Sequence, residues 1–468
     1  MSDDLIWLSA AELSRLYRSR EVSPVEVVSA VFDRIEQIDP LINAMVTLTE
    51  ESARDAAAEA EKRFARGETL PALYGVPITV KDLSETAGVR TTYGIATYKD
   101  YVPDFDSLSW ERLTKEGVIL IGKTTTPENG GLGITESYLT GSTSTPWDVS
   151  RASGGSSGGA AAAVVSGIAP IAWGSDGGGS IRVPSSLCGA VGIKPTAGRI
   201  PSLNGDDADS TDGPITRSVM DAAMLLDVTV GPHPLDRTAL PRTADNYAEA
   251  ATVPADMTGI RVAACVDFKA SPLEAEVRRV FMNTLDEMRA AGAIVEEVVL
   301  DLPDPTVFYL HYWGPGSAAS LRRTFDEGGP IWPRVIDIAQ RGSLVTTQEA
   351  SAAMRGAKTA LYEVYRRVFE TFDIIVCPTT PIASFPHDDD LGGVRVVNGR
   401  RTGVYLHSLT ESPAHAGLPA INMRCGFTVD GLPVGMQILA PLYEDMRAVS
   451  FAARYESVTK WHLMRPQF

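Results

Sequence analysis

Cysteine is scarce in this chain. The four present among 468 residues, Cys188, Cys265, Cys377 and Cys425, lie far apart and show no C-x-x-C spacing. That pattern argues against a zinc site and a disulfide scaffold and leaves them as small buried hydrophobes. Long apolar runs are missing too. No stretch approaches the ~18 residues of a membrane span, and Met-Ser-Asp-Asp-Leu-Ile-Trp at the start lacks the basic and then apolar order of a leader. The expectation is a soluble, cytoplasmic protein. Positive charge is outnumbered, 42 Lys and Arg against 59 Asp and Glu, for a net charge of −17. Such a field repels polyanions and anionic surfaces, so neither nucleic acid nor membrane is an expected partner. Neither a G-x-x-x-x-G-K-[S/T] loop nor a strand-borne G-x-G-x-x-G occurs, which argues against a phosphate cradle. No metal and no cofactor is expected.

What is present is an alternation of short β-branched runs with helical segments. Ser9-Ala-Ala-Glu12 and Ser23-Pro-Val-Glu26 read as capping boxes, the second with proline at the first helical position. With the Ala/Glu/Lys-rich stretch 50–66 they predict a helical N-terminal layer over residues 1–70. Strands are expected at 76–80, 118–121, 260–266, 294–299 and 374–376, with helices near 107–116, 272–291 and 348–372. The alternation predicts an α/β fold with a large mixed, mostly parallel twisted β-sheet covered by helices on both faces. Residues 300–346, with Phe308, Tyr309, Tyr312 and Trp313, break the rhythm and are expected to form a helical cap. The polar stretch 388–401 reads as a surface loop.

Glycine and serine concentrate in the middle: Ser153-Gly-Gly-Ser-Ser-Gly-Gly159, then Gly174-Ser-Asp-Gly-Gly-Gly-Ser180-Ile-Arg-Val-Pro184. Three glycines before a serine strip every β-carbon from the approach to its hydroxyl and free successive N–H groups to converge, as an oxyanion hole requires. A flexible linker is the competing reading, but both loops are embedded among strand-like runs and an Ala-rich helix. A serine nucleophile needs a base. Of six histidines (233, 311, 387, 407, 415 and 462) none adjoins this region in sequence, although triad members are often remote. Lys81, ending the apolar run Gly75-Val-Pro-Ile-Thr-Val-Lys81, is the other candidate, because a lysine at a buried strand end is rare.

These segments resemble the amidase signature family. The resemblance runs through Gly75 to Asp82, Gly122-Lys-Thr-Thr-Thr-Pro-Glu128, both Gly/Ser loops, Cys188-Gly-Ala-Val-Gly-Ile-Lys-Pro-Thr196, Gly213-Pro-Ile-Thr-Arg-Ser-Val219, Cys377-Pro-Thr-Thr-Pro381, Ala416-Gly-Leu-Pro-Ala420 and Gly431-Leu-Pro-Val-Gly-Met-Gln437. It spans nearly the whole chain in order and implies one domain over residues 1–468 with the family's fold. It further implies a Ser–cis-Ser–Lys triad of Ser180, Ser156 and Lys81, and a cis peptide between Gly155 and Ser156. The N–H groups of Gly177, Gly178, Gly179 and Ser180 would form the oxyanion hole, with Asp176 and Arg182 bracing the loop. The family usually has Thr or Ile at the place of Gly177, a departure that would loosen the hole. Ser153 and Ser157 read as structural.

The implied chemistry is hydrolysis of a C–N bond through a seryl acyl-enzyme. A free lysine titrates near 10.4, so a base working at neutral pH needs a depression of about three units, which desolvation supplies. Asn129, Gly130, Gly131, Tyr138, Tyr312 and Trp313 are the expected pocket, with Trp332 nearby, for a small amide, aryl or alkyl, or a carbamate or ester. A homodimer is the assembly to look for. The family also contains the A subunit of the glutamine-dependent tRNA amidotransferase. The segment Gly130-Gly-Leu-Gly-Ile-Thr-Glu-Ser-Tyr138 does not resemble that subunit's Asp-Glu-Phe segment, and the acidic balance does not favour it.

Overall fold

A computed structural model describes residues 2–203, 210–243, 246–266, 272–302, 309–387, 394–397, 400–403 and 406–468. Local signals account for its first elements. Ser9 Oγ accepts the Glu12 amide at 3.1 Å while the Glu12 carboxylate accepts the Ser9 amide at 2.8 Å, which starts the helix Ala10–Ser19. The same box at Ser23 and Glu26, with Pro24 at the first position, opens the helix Pro24–Ile42. The helix Glu50–Ala65 follows. Residues 1–70 are not wholly helical, however: Met45–Leu48 is a strand on the edge of the main sheet, drawn there by pairing with residues 122–124.

Counting only the large sheet, its strands are β1 (Met45–Leu48), β2 (Pro77–Lys81), β3 (Ile119–Thr124), β4 (Ile171–Asp176), β5 (Val191–Lys194), β6 (Thr211–Thr216), β7 (Arg261–Cys265), β8 (Ile294–Val298), β9 (Ile374–Pro378), β10 (Ala420–Phe427) and β11 (Pro433–Leu439). They lie in the order β1-β3-β2-β4-β6-β5-β10-β11-β9-β7-β8. Parallel pairing joins β3 to β2, β2 to β4, β9 to β7 and β7 to β8, and the other pairings are antiparallel. The sheet is therefore mixed, with the expected parallel character held by two blocks on its flanks. At the antiparallel centre, β10 and β11 form a hairpin across a turn with Gly431 at φ 78°.

Helices cover both faces. Along β7 and β9, Val262, Ala264, Ile374 and Val376 enter one core with Val277 and Phe281 of the helix Ala275–Ala290. Their neighbours Ala263, Cys265, Ile375 and Cys377 enter another, against Leu361 and Tyr365 of the helix Lys358–Phe369. This two-residue period buried on both sides explains the continuous apolar runs in the sequence. Residues 309–342 are largely helical, with a π-helical turn at Tyr309–Trp313 followed by the helices Gly314–Ser320, Arg322–Asp326 and Pro333–Gly342. The stretch 388–401 departs from a simple loop: Val394–Val397 and Arg400–Gly403 pair as antiparallel strands. The rest of that stretch, like Phe308, lies outside the described residues.

Candidate active site

The register of the parallel block builds the centre of the site. β2 runs beside β4 with Val80 opposite Trp173, which carries Lys81 alongside Gly174 and Ser175 at the C-terminal ends of both strands, where crevices of α/β sheets form. Lys81 is fully buried. Its Nζ donates to Ser156 Oγ at 2.7 Å and to Ser175 Oγ at 3.0 Å. Burial draws the amine from 10.5 down to about 7, against the opposing charges of Asp176 and Asp212.

The two Gly/Ser loops are tied together. The Gly155–Ser156 peptide is cis, and the next amide, of Ser157, donates to the Ser180 carbonyl at 3.1 Å, which sets Ser156 beside the second loop. Ser157 also donates its hydroxyl to the Ser175 carbonyl at 3.3 Å, and the helix Gly158–Val165 starts just beyond it. Ser153 bonds the Gly154 carbonyl and faces no part of the cleft lining.

Asp176 and Arg182 clasp the turn that carries Ser180. Both are wholly buried and meet through two N–H···O contacts of 2.8 and 3.0 Å. Asp176 also accepts the Ile181 amide at 3.1 Å and the Arg182 amide at 3.3 Å. Burial pushes this carboxyl up, but the Arg182 guanidinium, the Lys194 charge and the Ile181 amide together outweigh it and the net shift is downward. Arg182 reaches on to Gln437 Oε1 at 3.1 Å, which anchors the turn to β11. Among the described residues the N–H groups of Gly177, Gly178, Gly179 and Ser180 donate to no acceptor. Four unclaimed donors in one turn beside a serine hydroxyl can receive a negatively charged oxygen.

A cleft of about 1220 Å³ opens over this centre, lined by Ser156, Ser175, Gly177, Gly178 and Ser180. Asn129, Gly130, Gly131, Tyr312 and Trp313 line it too. Tyr138 and Trp332 do not: they pack edge to face on each other, ring centroids 5.4 Å apart, with Tyr138 half-exposed away from the cleft. Glu128 explains this, since its buried carboxylate accepts the Trp332 amide at 2.9 Å and holds that segment to the body.

Sequence reasoning missed several residues that tertiary structure delivers. Asp212, opposite Ser175 on β6, lines the cleft and accepts the Ser109 hydroxyl. Thr410 donates to the Gly178 carbonyl at 2.6 Å. Glu411, buried against Gly178, pairs with His415 at 2.7 Å and accepts Trp313 Nε1–H at 3.3 Å. His407, distant in sequence, lines the cleft beside Gly179, and burial lowers its imidazole despite the carboxylates of Glu411 and Asp176. The available signals were the resemblance segments that begin just after them, at Gly213 for Asp212 and at Ala416 for His407, Thr410 and Glu411. Among the described residues no group of His, Cys, Asp or Glu is arranged to hold a metal ion.

Known proteins resemble this chain along nearly its whole length. The Amidase family matches residues 26–449. An acylamidase of Rhodococcus erythropolis is 34% identical over 471 residues, covering 99% of this chain and 98% of the relative. The A subunit of a glutamyl-tRNA(Gln) amidotransferase from Prochlorococcus marinus is likewise 34% identical, over 493 residues, covering 98% and 99%. The crystal structure of a bacterial aryl acylamidase of the amidase signature family superposes with a TM-score of 0.89 at 28% identity, covering 98% of this chain and 99% of that one.

Proposed function

The chain belongs to the amidase signature family, and on that premise we propose that it hydrolyses small linear amides, aryl or alkyl, through an acyl-enzyme on Ser180. One observation carries the reading: a buried amine, neutral above about pH 7, sits 2.7 Å from Ser156 Oγ, and Ser156 lines the cleft together with Ser180, Gly177 and Gly178. Neutral Lys81 takes the Ser156 proton as Ser156 takes that of Ser180, and Ser180 Oγ attacks the substrate carbonyl carbon. The carbonyl oxygen gains the negative charge against the amides of Gly177 to Ser180. The C–N bond then breaks, and the proton held by Lys81 returns through Ser156 to the departing nitrogen. Water repeats the path, losing its proton to the relay, and the ester gives the acid and free Ser180.

The same machinery acts on carbamates and esters, which are part of the proposal. A cytoplasmic setting is too, supported by four buried cysteines that remain free thiols.

The second reading, one component of a tRNA-dependent amidotransferase, draws on an equally similar relative. The charge of the cleft weighs against it. Its described lining carries the carboxylates of Glu85, Asp212 and Glu411 against the single guanidinium of Arg237, in a chain of net charge −17. Such a surface repels a phosphate backbone. The deciding experiment gives the purified chain alone p-nitroacetanilide. Release of p-nitroaniline, lost in Ser180→Ala, supports the hydrolase; activity seen only as amide transfer with a partner and glutamine would replace it by the amidotransferase reading.

A further inference from the structure

The three glycines before Ser180 are each covered by a side chain from elsewhere in the fold. A β-carbon on Gly177 would stand 2.6 Å from Trp313 Cη2 and 2.9 Å from Cζ2, so the indole lies directly on that backbone. One on Gly178 would overlap the Glu411 carboxylate, and one on Gly179 the Thr410 hydroxyl. Trp313 is itself held: its Nε1–H reaches Glu411 Oε2 at 3.3 Å, and that oxygen also meets His415 Nε2 at 2.7 Å. Tyr312 braces the group, its ring perpendicular to Trp313 at 4.7 Å and against His415 at 5.0 Å, with the Lys358 ammonium 4.3 Å from its centroid.

The backbone under the indole is fixed as well. Trp313 ends the π-helical turn, and the next residue, Gly314, packs against Gly342 so closely that a β-carbon on Gly314 would lie 2.8 Å from Gly342 Cα. A π turn advances the chain out of step with the α-helical ladder, and such turns recur at functional sites. Here it brings the indole inward, where it lines the cleft.

We propose that Trp313 is a specificity-determining wall over the oxyanion loop and that Glu411 is its positioning residue, so that the enzyme accepts amides with a flat or short acyl group and rejects acyl groups branched next to the carbonyl. This deepens the proposed function and rests on it. The acyl substituent is one bond from the carbonyl carbon, whose oxygen must reach the amides of Gly177 to Ser180, and the indole occupies the side-chain space at the Gly177 α-carbon, the first residue of that turn. A planar or methyl substituent passes beside its edge, whereas a trimethyl-substituted carbon overlaps it. Exclusion of even one methyl-sized group by such a wall is worth about 10- to 200-fold.

The test compares acylation by p-nitrophenyl acetate and p-nitrophenyl trimethylacetate, read as the burst of p-nitrophenol, with kcat and KM measured on the matching p-nitroanilides. The expected result is a preference for acetyl in the wild type that falls at least about 10-fold in Trp313→Leu and less in Trp313→Phe. Glu411→Leu, which releases the indole, shifts the same ratio toward that of Trp313→Leu, and Glu411→Gln, which still accepts the indole N–H, restores it. An unchanged ratio in both Trp313 variants overturns the wall. A ratio that moves in Trp313→Leu but not in Glu411→Leu overturns the role of Glu411. A wild-type burst that persists in Ser180→Ala strikes instead at the nucleophile, and so separates failure of the underlying reading from failure of this one.

Discussion

Lys81 and Asp176 end neighbouring positions on the sheet, one closing β2 and the other β4, and share a fully buried setting with opposite fates. Asp176 keeps its charge because Arg182 and two backbone amides surround it. The described partners of Lys81 are two hydroxyls and a carbonyl, none of which carries a charge, so desolvation wins.

Rate should follow the ionisation of that amine. With the folded value near 7, kcat/KM rises as pH passes from 6 to 8 and levels off above. Lys81→Ala removes this limb, and His407→Asn retains it. A pH profile of p-nitroacetanilide hydrolysis for the three proteins decides between lysine and histidine as the base.

Stability should run against activity at the same position. The unfolded lysine holds its proton up to 10.5, whereas the folded one releases it near 7, so folding is penalised in full below 7 and the penalty fades as pH rises toward 10.5. Lys81→Met, inactive, is expected to be more stable at pH 7 by roughly 3 to 5 kcal/mol. Urea unfolding at pH 7 and pH 10 measures the difference, which shrinks at the higher pH.

Covalent labelling isolates the nucleophile. A fluorophosphonate probe should modify the wild type once, on Ser180, and leave Ser180→Ala untouched. Ser156→Ala keeps the nucleophile but loses the relay and labels far more slowly. Mass spectrometry of the labelled peptide reads both, and full labelling of Ser180→Ala rejects the assignment.

Arg182→Ala strands the Asp176 carboxylate in the core and takes the donor from Gln437 Oε1. Breaking one side of a buried pair costs about 3 to 5 kcal/mol, and Arg182→Lys recovers only part, because an ammonium cannot span both carboxylate oxygens. Thermal melts ordered wild type, Lys, Ala are the expected outcome.

Gly179, at φ 141°, tolerates no side chain on two counts, since a β-carbon there would also stand 2.8 Å from Thr410 Cβ. Gly179→Ala should lower kcat on p-nitroacetanilide by about 100-fold or more through displaced donors, with KM changed less. Equal losses in both constants would point to general unfolding.

What could be read from the sequence was local. Ser9 with Glu12 and Ser23 with Glu26 specify helix starts within four residues, and a lysine closing an apolar run announces its own burial. The strand Met45–Leu48 escaped notice because four residues between two helices carry no period of their own; its partner, β3, supplies the reason to extend. The antiparallel centre was hidden for a related cause, since β10 chooses β5 across more than two hundred residues. Glu411, Thr410 and His407 look ordinary in sequence and matter only because they are laid over three glycines far away. Tyr138 is the converse: it follows the right motif, but Glu128 turns its neighbourhood toward Trp332.

The hairpin of β10 and β11 sits in the middle of the sheet although its strands come after all the others of that sheet in chain order. A ribosome delivers Lys81, Ser156 and Ser180 long before Gln437, the residue that Arg182 needs. Without that hairpin, β5 and β9 would each keep one unpaired edge. The two flanks of the sheet are thus joined only through pairings of β10 and β11 with strands far away in the chain, a long-range closure of the kind that slows folding.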